Sequence, residues 1–168
     1  MVDGRAKGSA FERETALELE ALLGIKFTRN LDQVRQRGGV DLIASDPHWP
    51  FALELKRRAS GHGLPAGAWD QSVFAAELLR DRHGLEVHPC VIYRYDYQPP
   101  RAAISIAALR ESITGKFCRP WMSQDREQLA AFTLTTSLEA LCYHACEIMA
   151  ARHTHKRKLT RTWEGNPY

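Results

Sequence analysis

The stretch "GGVDLIASDPHWPFALELKRRAS", residues 38–60, holds two runs with strand character, 40–44 and 51–56. The Pro-bounded segment 45–50 turns the chain between them. A buried hairpin normally keeps its charges outside, yet Asp41, Glu54 and Lys56 stand within these runs. On the second run, period-two geometry puts Glu54 and Lys56 on one face and Phe51, Leu53 and Leu55 on the other. Asp41 contributes to the charged face from the neighbouring strand, and Gly38 and Gly39 permit a tight approach just before it.

Upstream, "GSAFERETALELEALLG" reads as a helix with Ser9 as its cap, Glu12 three residues later as in a capping box, and Gly24 at its exit. An advance of about 100° per residue gathers Phe11, Thr15, Ala16, Leu19, Leu22 and Leu23 on one arc. Glu12 falls inside that arc, whereas Glu14, Glu18 and Glu20 point away from it as surface carboxylates. Glu12 is therefore either a capping residue or a carboxylate facing something functional. A short strand is expected around 25–28, followed by a polar connection.

Downstream, the Gly/Pro-rich start of "GHGLPAGAWDQSVFAAELLRDRHG" is a loop, and 68–82 forms a helix on which Gln71, Phe74 and Leu78 share one side. Gln71 is then an inward glutamine near the helix start, or simply a polar entrance residue. Residues 87–94 read as a strand, with Pro89 tolerable near its beginning or at an edge. A short strand at 103–106 and a helical turn at 107–112 follow. In "TLTTSLEALCYHACEIMAAR", Leu134, Leu138, Leu141, Ala145, Ile148 and Met149 make an apolar stripe on one long helix, suited to the core or to a dimer interface. The order of elements implies helices packed beside a mixed sheet, in an α/β or α+β architecture.

At 168 residues, 44% hydrophobic and 26% charged, the chain builds one substantial core. Residues 1–150 read as a single domain that includes the long helix, and 151–168 as a basic tail. No secretory pattern and no run of about 18 apolar residues is present, so a soluble, cytoplasmic protein without membrane attachment is expected. The net charge of +3 is mild. Its placement says more: basic residues gather at Arg35 and Arg37, at Lys56, Arg57 and Arg58, and at Lys156, Arg157 and Lys158 in the tail. Such runs are solvated surface, or they meet a polyanion through salt-sensitive phosphate contacts. Cys90, Cys118, Cys142 and Cys146 lack zinc-knuckle spacing, and packing as reduced thiols is the expectation.

Two neighbouring carboxylates are costly unless neutralised, and oxygen ligands suit a hard divalent cation such as magnesium. Asp41 and Glu54 supply such ligands, with the Leu55 carbonyl as a further one. Lys56 stands ready to hold a phosphate oxygen or to orient water. Glu12 could complete the metal shell, and Gln71 could position phosphate or water.

The arrangement D-x12-E-x-K made by Asp41, Glu54 and Lys56 resembles the core of the PD-(D/E)xK nuclease superfamily. With "KGSAFERE" at 7–14 and the Gly-preceded aspartate, it is similar within that superfamily to archaeal-type and phage Holliday junction resolvases. The resemblance covers roughly residues 7–95; Val40 stands where the superfamily has proline. It implies a restriction-endonuclease-like α/β core, a mixed central sheet flanked by helices, here with a C-terminal helical extension. It implies a magnesium-dependent endodeoxyribonuclease, with manganese as a substitute, acting on branched DNA as a homodimer in recombination and repair. The metal ligands then fall on Glu12, Asp41, Glu54 and Leu55 and the catalytic lysine on Lys56. Gln71 matches the polar residue of the next helix, and Arg13 becomes a DNA contact. Other readings are a different phage or bacterial repair or restriction-type nuclease, a non-catalytic DNA-binding protein, or a merely exposed Glu54/Lys56 pair.

Overall fold

The computed structural model describes residues 4–31, 39–117 and 133–164, the last ten of these as helical backbone only. The element order is α1 (Gly4–Leu23), β1 (Phe27–Arg29), β2 (Leu42–Ala44), β3 (Phe51–Arg58), α2 (Ala68–His83), β4 (His88–Tyr95), β5 (Arg101–Ser105), α3 (Ile106–Thr114), β6 (Thr133–Ser137) and α4 (Leu138–Glu164). Among the described residues the strands form one sheet in the order β1-β2-β3-β4-β5-β6. Among the described strands only β3 and β4 run parallel, joined by the crossover through α2, and the other pairs are antiparallel. This is the mixed α/β sheet expected from the sequence. Among the described residues no helix is long and apolar enough to cross a membrane.

Alternation along the central strands divides the core between two faces. Leu53, Leu55, Cys90, Ile92, Ala102 and Ile104 pack beneath Phe11 and Leu19 of α1, Ala108 of α3, and Leu138, Leu141 and Ile148 of α4. On the other face Val91, Tyr93, Tyr95 and Ala103 meet Ala68 and Trp69 of α2, and Ala52 meets Ala75 and Ala76. Glu54 pairs in register with Val91, and Lys56 with Tyr93, so both carry the α2 side of β3. Pro89, second in β4, lies outside the β5 register, which begins at Cys90, so its missing N–H breaks no β4–β5 pair.

Several expectations are corrected. The first helix begins at Gly4, which places Ser9 inside it rather than at its cap, and Glu12 in its middle. The exit at Gly24 stands, with a φ of 67° and its N–H on the Glu20 carbonyl at 2.8 Å. On α2 the inward face is Ala68, Trp69, Ser72, Ala75 and Ala76, while Gln71 and Phe74 are exposed. Small residues let this helix approach the sheet closely, and Ser72 Oγ bonds to the carbonyls of Ala52 and Cys90 and accepts from the Cys90 N–H. Apolar bulk at Phe74 was the misleading signal.

Leu134 belongs to β6, not to the long helix, which starts at Leu138 behind Ser137, whose Oγ accepts from the Ala140 N–H. From Leu138 to Met149 the apolar stripe is buried within this chain. That burial removes the stripe as a dimer interface. Cys90 and Cys142 are buried, and burial pushes both thiols up, Cys142 to about 12; Cys118 lies outside the described residues.

The helix continues past residue 150, and Arg152 is part of the core's edge rather than of a loose tail. Its guanidinium donates to both oxygens of Glu111 at 2.9 and 3.3 Å, and His88 Nε2 meets the same carboxylate at 2.5 Å. Glu111 is 1% exposed. Burial raises its pKa, but the His88 and Arg152 hydrogen bonds outweigh burial and hold it below its ordinary value. Burial likewise lowers His88 despite the carboxylate beside it, so a neutral imidazole donating Nε2–H to an ionised Glu111 fits both shifts. Breaking such a pair leaves an uncompensated buried charge. Arg152→Ala should therefore cost about 3 kcal/mol of stability, read as a lowered urea midpoint. A midpoint equal to wild type would show that Arg152 anchors nothing.

Candidate active site

β2 and β3 share a single register pair, Leu42 with Leu53, and the chain departs from β3 on the Asp41 side of it while β2 stays paired with β1. Asp41 sits at that departure. Its N–H donates to the Leu53 carbonyl at 2.8 Å, its carbonyl accepts from the Asn30 N–H at 3.0 Å, and its Oδ2 accepts from the Leu55 N–H at 2.5 Å. The side chain thus takes the place of the next rung of the ladder. Because the N–H and C=O of one strand residue point to the same side, the Leu55 carbonyl also faces Asp41 rather than β4.

Glu54 projects from the next position with only 7% exposure, and its Oε1 pairs with Lys56 Nζ at 2.5 Å, two residues along the same face. Burial, then the charge of Asp41, pushes the Glu54 carboxyl up to about 7; Glu12 adds a smaller push, and Lys56 opposes all three. Three carboxylates therefore share one electrostatic neighbourhood, with one lysine as partial compensation.

Glu12 reaches this neighbourhood from α1, held by a residue the sequence reading overlooked. Arg29 of β1 donates from Nε to Glu12 Oε2 at 2.5 Å and from Nη2 to Ser9 Oγ at 3.1 Å. Arg29 follows the strand expected at 25–28, and the structure makes it the last residue of β1. Further ion pairs bind α1 to the end of β4: Lys7 and Arg57 share the two oxygens of Asp96 at 2.8 and 3.0 Å, and Arg94 pairs with Glu14 while lying 5.0 Å over the Phe11 ring. Asp96 likewise went unnoticed, since a lone aspartate after a strand looks like turn chemistry.

The structure brings Asp41, Glu54, Leu55 and Lys56 together and sets Glu12 close enough to act on Glu54. It leaves Gln71 on the exposed side of α2. Arg13 and Arg58 are exposed, and Arg57 is engaged by Asp96. Arg35 and Arg37 lie outside the described residues, as do the side chains of Lys156, Arg157 and Lys158.

Among the described residues no three His, Cys, Asp or Glu side chains are grouped closely enough to form a ready metal cage. The donor set nevertheless fits a hard divalent cation: two carboxylates whose mutual repulsion raises Glu54, and a carbonyl on the same side, all oxygen. Asp41, Glu54 and the Leu55 carbonyl would hold it, with Glu12 nearby. When bound, such a cation stabilises charge developing on phosphate and lowers the pKa of a bound water.

The family model described as "Phage putative PDDEXK endonuclease" matches residues 3–150. The chain belongs to this PD-(D/E)xK endonuclease family. Among solved structures, the Archaeoglobus fulgidus protein Hjc, a Holliday junction resolvase, is similar at 16% identity and a TM-score of 0.47, over 78% of this chain and 94% of that one. The comparison with curated proteins returned no match.

The raised carboxyl gives this endonuclease-family site a signature of its own. Between its ordinary value of 4.5 and about 7, folded Glu54 holds a proton that the unfolded chain has released. Stability contributed by protonated Glu54 is thus full below pH 4.5 and is lost as pH rises to about 7, a cost on the order of 3 kcal/mol. In chelator, wild type should lose stability relative to Glu54→Gln between pH 4.5 and 8 by urea denaturation. Parallel profiles would contradict the buried, crowded state of Glu54.

Proposed function

We propose that this protein is a metal-dependent DNA endonuclease that hydrolyses phosphodiester bonds, with branched DNA of the Holliday junction type as its substrate. The observation that carries the proposal is the crowding of Asp41 against Glu54 beside the Leu55 backbone, with Lys56 paired to Glu54. Base recognition alone requires no such carboxylate cluster. Magnesium is the expected cation, since the donors are all oxygen.

In this reading the Lys56 ammonium holds a non-bridging phosphate oxygen or orients the attacking water, and Glu54 would hold the cation, whose charge would compensate the carboxylate in place of Lys56. Glu12, kept in place by Arg29, would supply a further oxygen ligand directly or through water. Gln71, exposed at the start of α2, is available to substrate phosphate. Arg13 and Arg58 supply exposed phosphate contacts beside the site, and Arg35, Arg37, Arg57, Lys156, Arg157 and Lys158 are assigned to the same task. Such contacts position DNA without reading its sequence. Two cuts across one junction require two centres at a defined separation, so the working form is a homodimer.

Asp41→Asn, Glu54→Gln and Lys56→Ala should each lower turnover by about 100-fold or more while circular dichroism and DNA binding persist. The assay is cleavage of a four-way junction, flap, linear duplex and single strand, with magnesium and with chelator. Chelator should abolish cutting, and the junction should be cut in pairs. Undiminished cleavage by all three variants would place the chemistry elsewhere; preference for linear duplex would remove the junction assignment and leave the nuclease standing.

Glu12→Gln separates structure from chemistry. Glu12 lies in mid-helix, so loss of a cap cannot explain a defect. Weak activity with a small change in unfolding midpoint is expected, together with a higher magnesium requirement. Normal turnover at saturating magnesium would make Glu12 a partner of Arg29 and nothing more.

A further inference from the structure

We propose that the buried hydroxyl of Tyr93 is a positioning group for Lys56: when a divalent cation holds Glu54, the Lys56 ammonium turns from that carboxylate to the Tyr93 oxygen. The purpose of the movement rests on the metal-dependent endonuclease reading, but its principal test is made without DNA.

Parallel register sets Tyr93 of β4 beside Lys56 of β3. Neighbouring strands stand about 4.8 Å apart, and registered residues send their side chains to the same face. The Lys56 stem and the Tyr93 ring therefore leave the sheet side by side, with Glu54 and Val91 one pleat behind them. Both belong to the α2 side, where Tyr93 packs among Ala68, Trp69, Val91, Tyr95 and Ala103.

Tyr93 is 2% exposed, and its hydroxyl has no hydrogen-bond partner among the described residues. Burying a hydroxyl in that condition is unfavourable, and phenylalanine would fill the same space without the penalty. The neighbouring tyrosine is treated differently. Tyr95, whose ring meets that of Tyr93 at 6.2 Å, donates its hydroxyl to the Gly63 carbonyl at 3.0 Å. Trp69 Nε1 is a buried donor in the same apolar cluster and is itself unpartnered, so it does not serve Tyr93. The fold thus completes one tyrosine of the pair and leaves open the one beside Lys56.

Lys56 has the complementary need. Its Nζ lies 2.5 Å from Glu54 Oε1, on the carboxylate that the cation would take. With Glu54 so occupied, the ammonium would face a like charge and require another acceptor within reach of its stem. An ammonium only donates, whereas a phenol oxygen both accepts and donates. Tyr93 therefore supplies an acceptor without a countercharge. Lys56 is held in place and keeps its full charge for a phosphate oxygen, which a carboxylate at position 93 would have neutralised.

The test measures magnesium binding by titration calorimetry on the full chain, in wild type, Tyr93→Phe, Lys56→Met and the double variant. Tyr93→Phe removes only the oxygen and should raise the magnesium dissociation constant about 5-fold, with a urea midpoint equal to or above that of wild type. In the Lys56→Met background the same substitution should leave the constant unchanged, because the donor is gone. With junction DNA, Tyr93→Phe should lower kcat about 10-fold and leave KM unchanged. Wild-type magnesium affinity in Tyr93→Phe overturns the proposal. Equal weakening with and without Lys56 overturns it too, since a packing defect acts in both backgrounds, and so does a wild type that binds no magnesium. Cleavage by wild type separates the two readings. A protein that shows the Tyr93–Lys56 coupling and cuts nothing refutes the nuclease and keeps the contact, whereas an active protein without the coupling does the reverse.

Discussion

The hydrogen bond from the Leu55 N–H to Asp41 Oδ2 is the constraint on which the site depends. β2 leaves β3 after one paired residue, and a central strand cannot leave its next backbone group unpaired at low cost. A carboxylate supplies the missing acceptor, which fixes the Asp41 side chain in the plane of the sheet and turns the Leu55 carbonyl toward it. Structural need and chemical placement coincide there: the group that closes the ladder is also the first ligand in the proposed reading. Glu54 and Lys56 then follow from the pleat alone, one on each side of Leu55 along β3.

Two buried carboxylates show how the same fold treats charge differently at its two ends. Glu111 is satisfied by Arg152 and His88 and sits below its ordinary pKa. It ties α3, β4 and α4 together and stays fixed. Glu54 is also buried but stands among like charges with Lys56 beside it, and its carboxyl rises to about 7. The first arrangement is finished by protein groups. The second is left only partly compensated by protein groups, an arrangement that clusters at functional sites.

α1 contributes less by packing than by suspension. Phe11 and Leu19 seat it on the sheet, but the rotation that brings Glu12 toward Glu54 is held by ion pairs on three sides: Arg29 to Glu12, Arg94 to Glu14, and Lys7 to Asp96. Individually such part-exposed pairs stabilise little. Collectively they set an orientation that burial of a broad apolar arc would leave loose, and they explain why so many charged residues cluster at one end of the sheet.

Much of this was determined by the sequence alone, because it depends on local periodicity. The pleat separates Glu54 and Lys56 from Leu53 and Leu55 whatever the surroundings, Pro and Gly punctuate the turns, and a charge inside a strand announces that something compensates it. What spacing cannot reveal is which neighbour arrives from a distance. Ser9 had the composition of a cap and lies inside a helix; Leu134 continued the helical stripe and lies on a strand, because pairing with Ile104 of β5 outweighs helical periodicity. Gln71 and Phe74 seemed inward until the close approach of α2 to Ala52 and Cys90 demanded small residues instead. Arg29, Asp96 and Arg152 acquired their partners only when β1, β4 and α4 were laid beside α1, β3 and α3. Such long-range pairings answer to charge and space across the folded chain, and tertiary structure alone decided them.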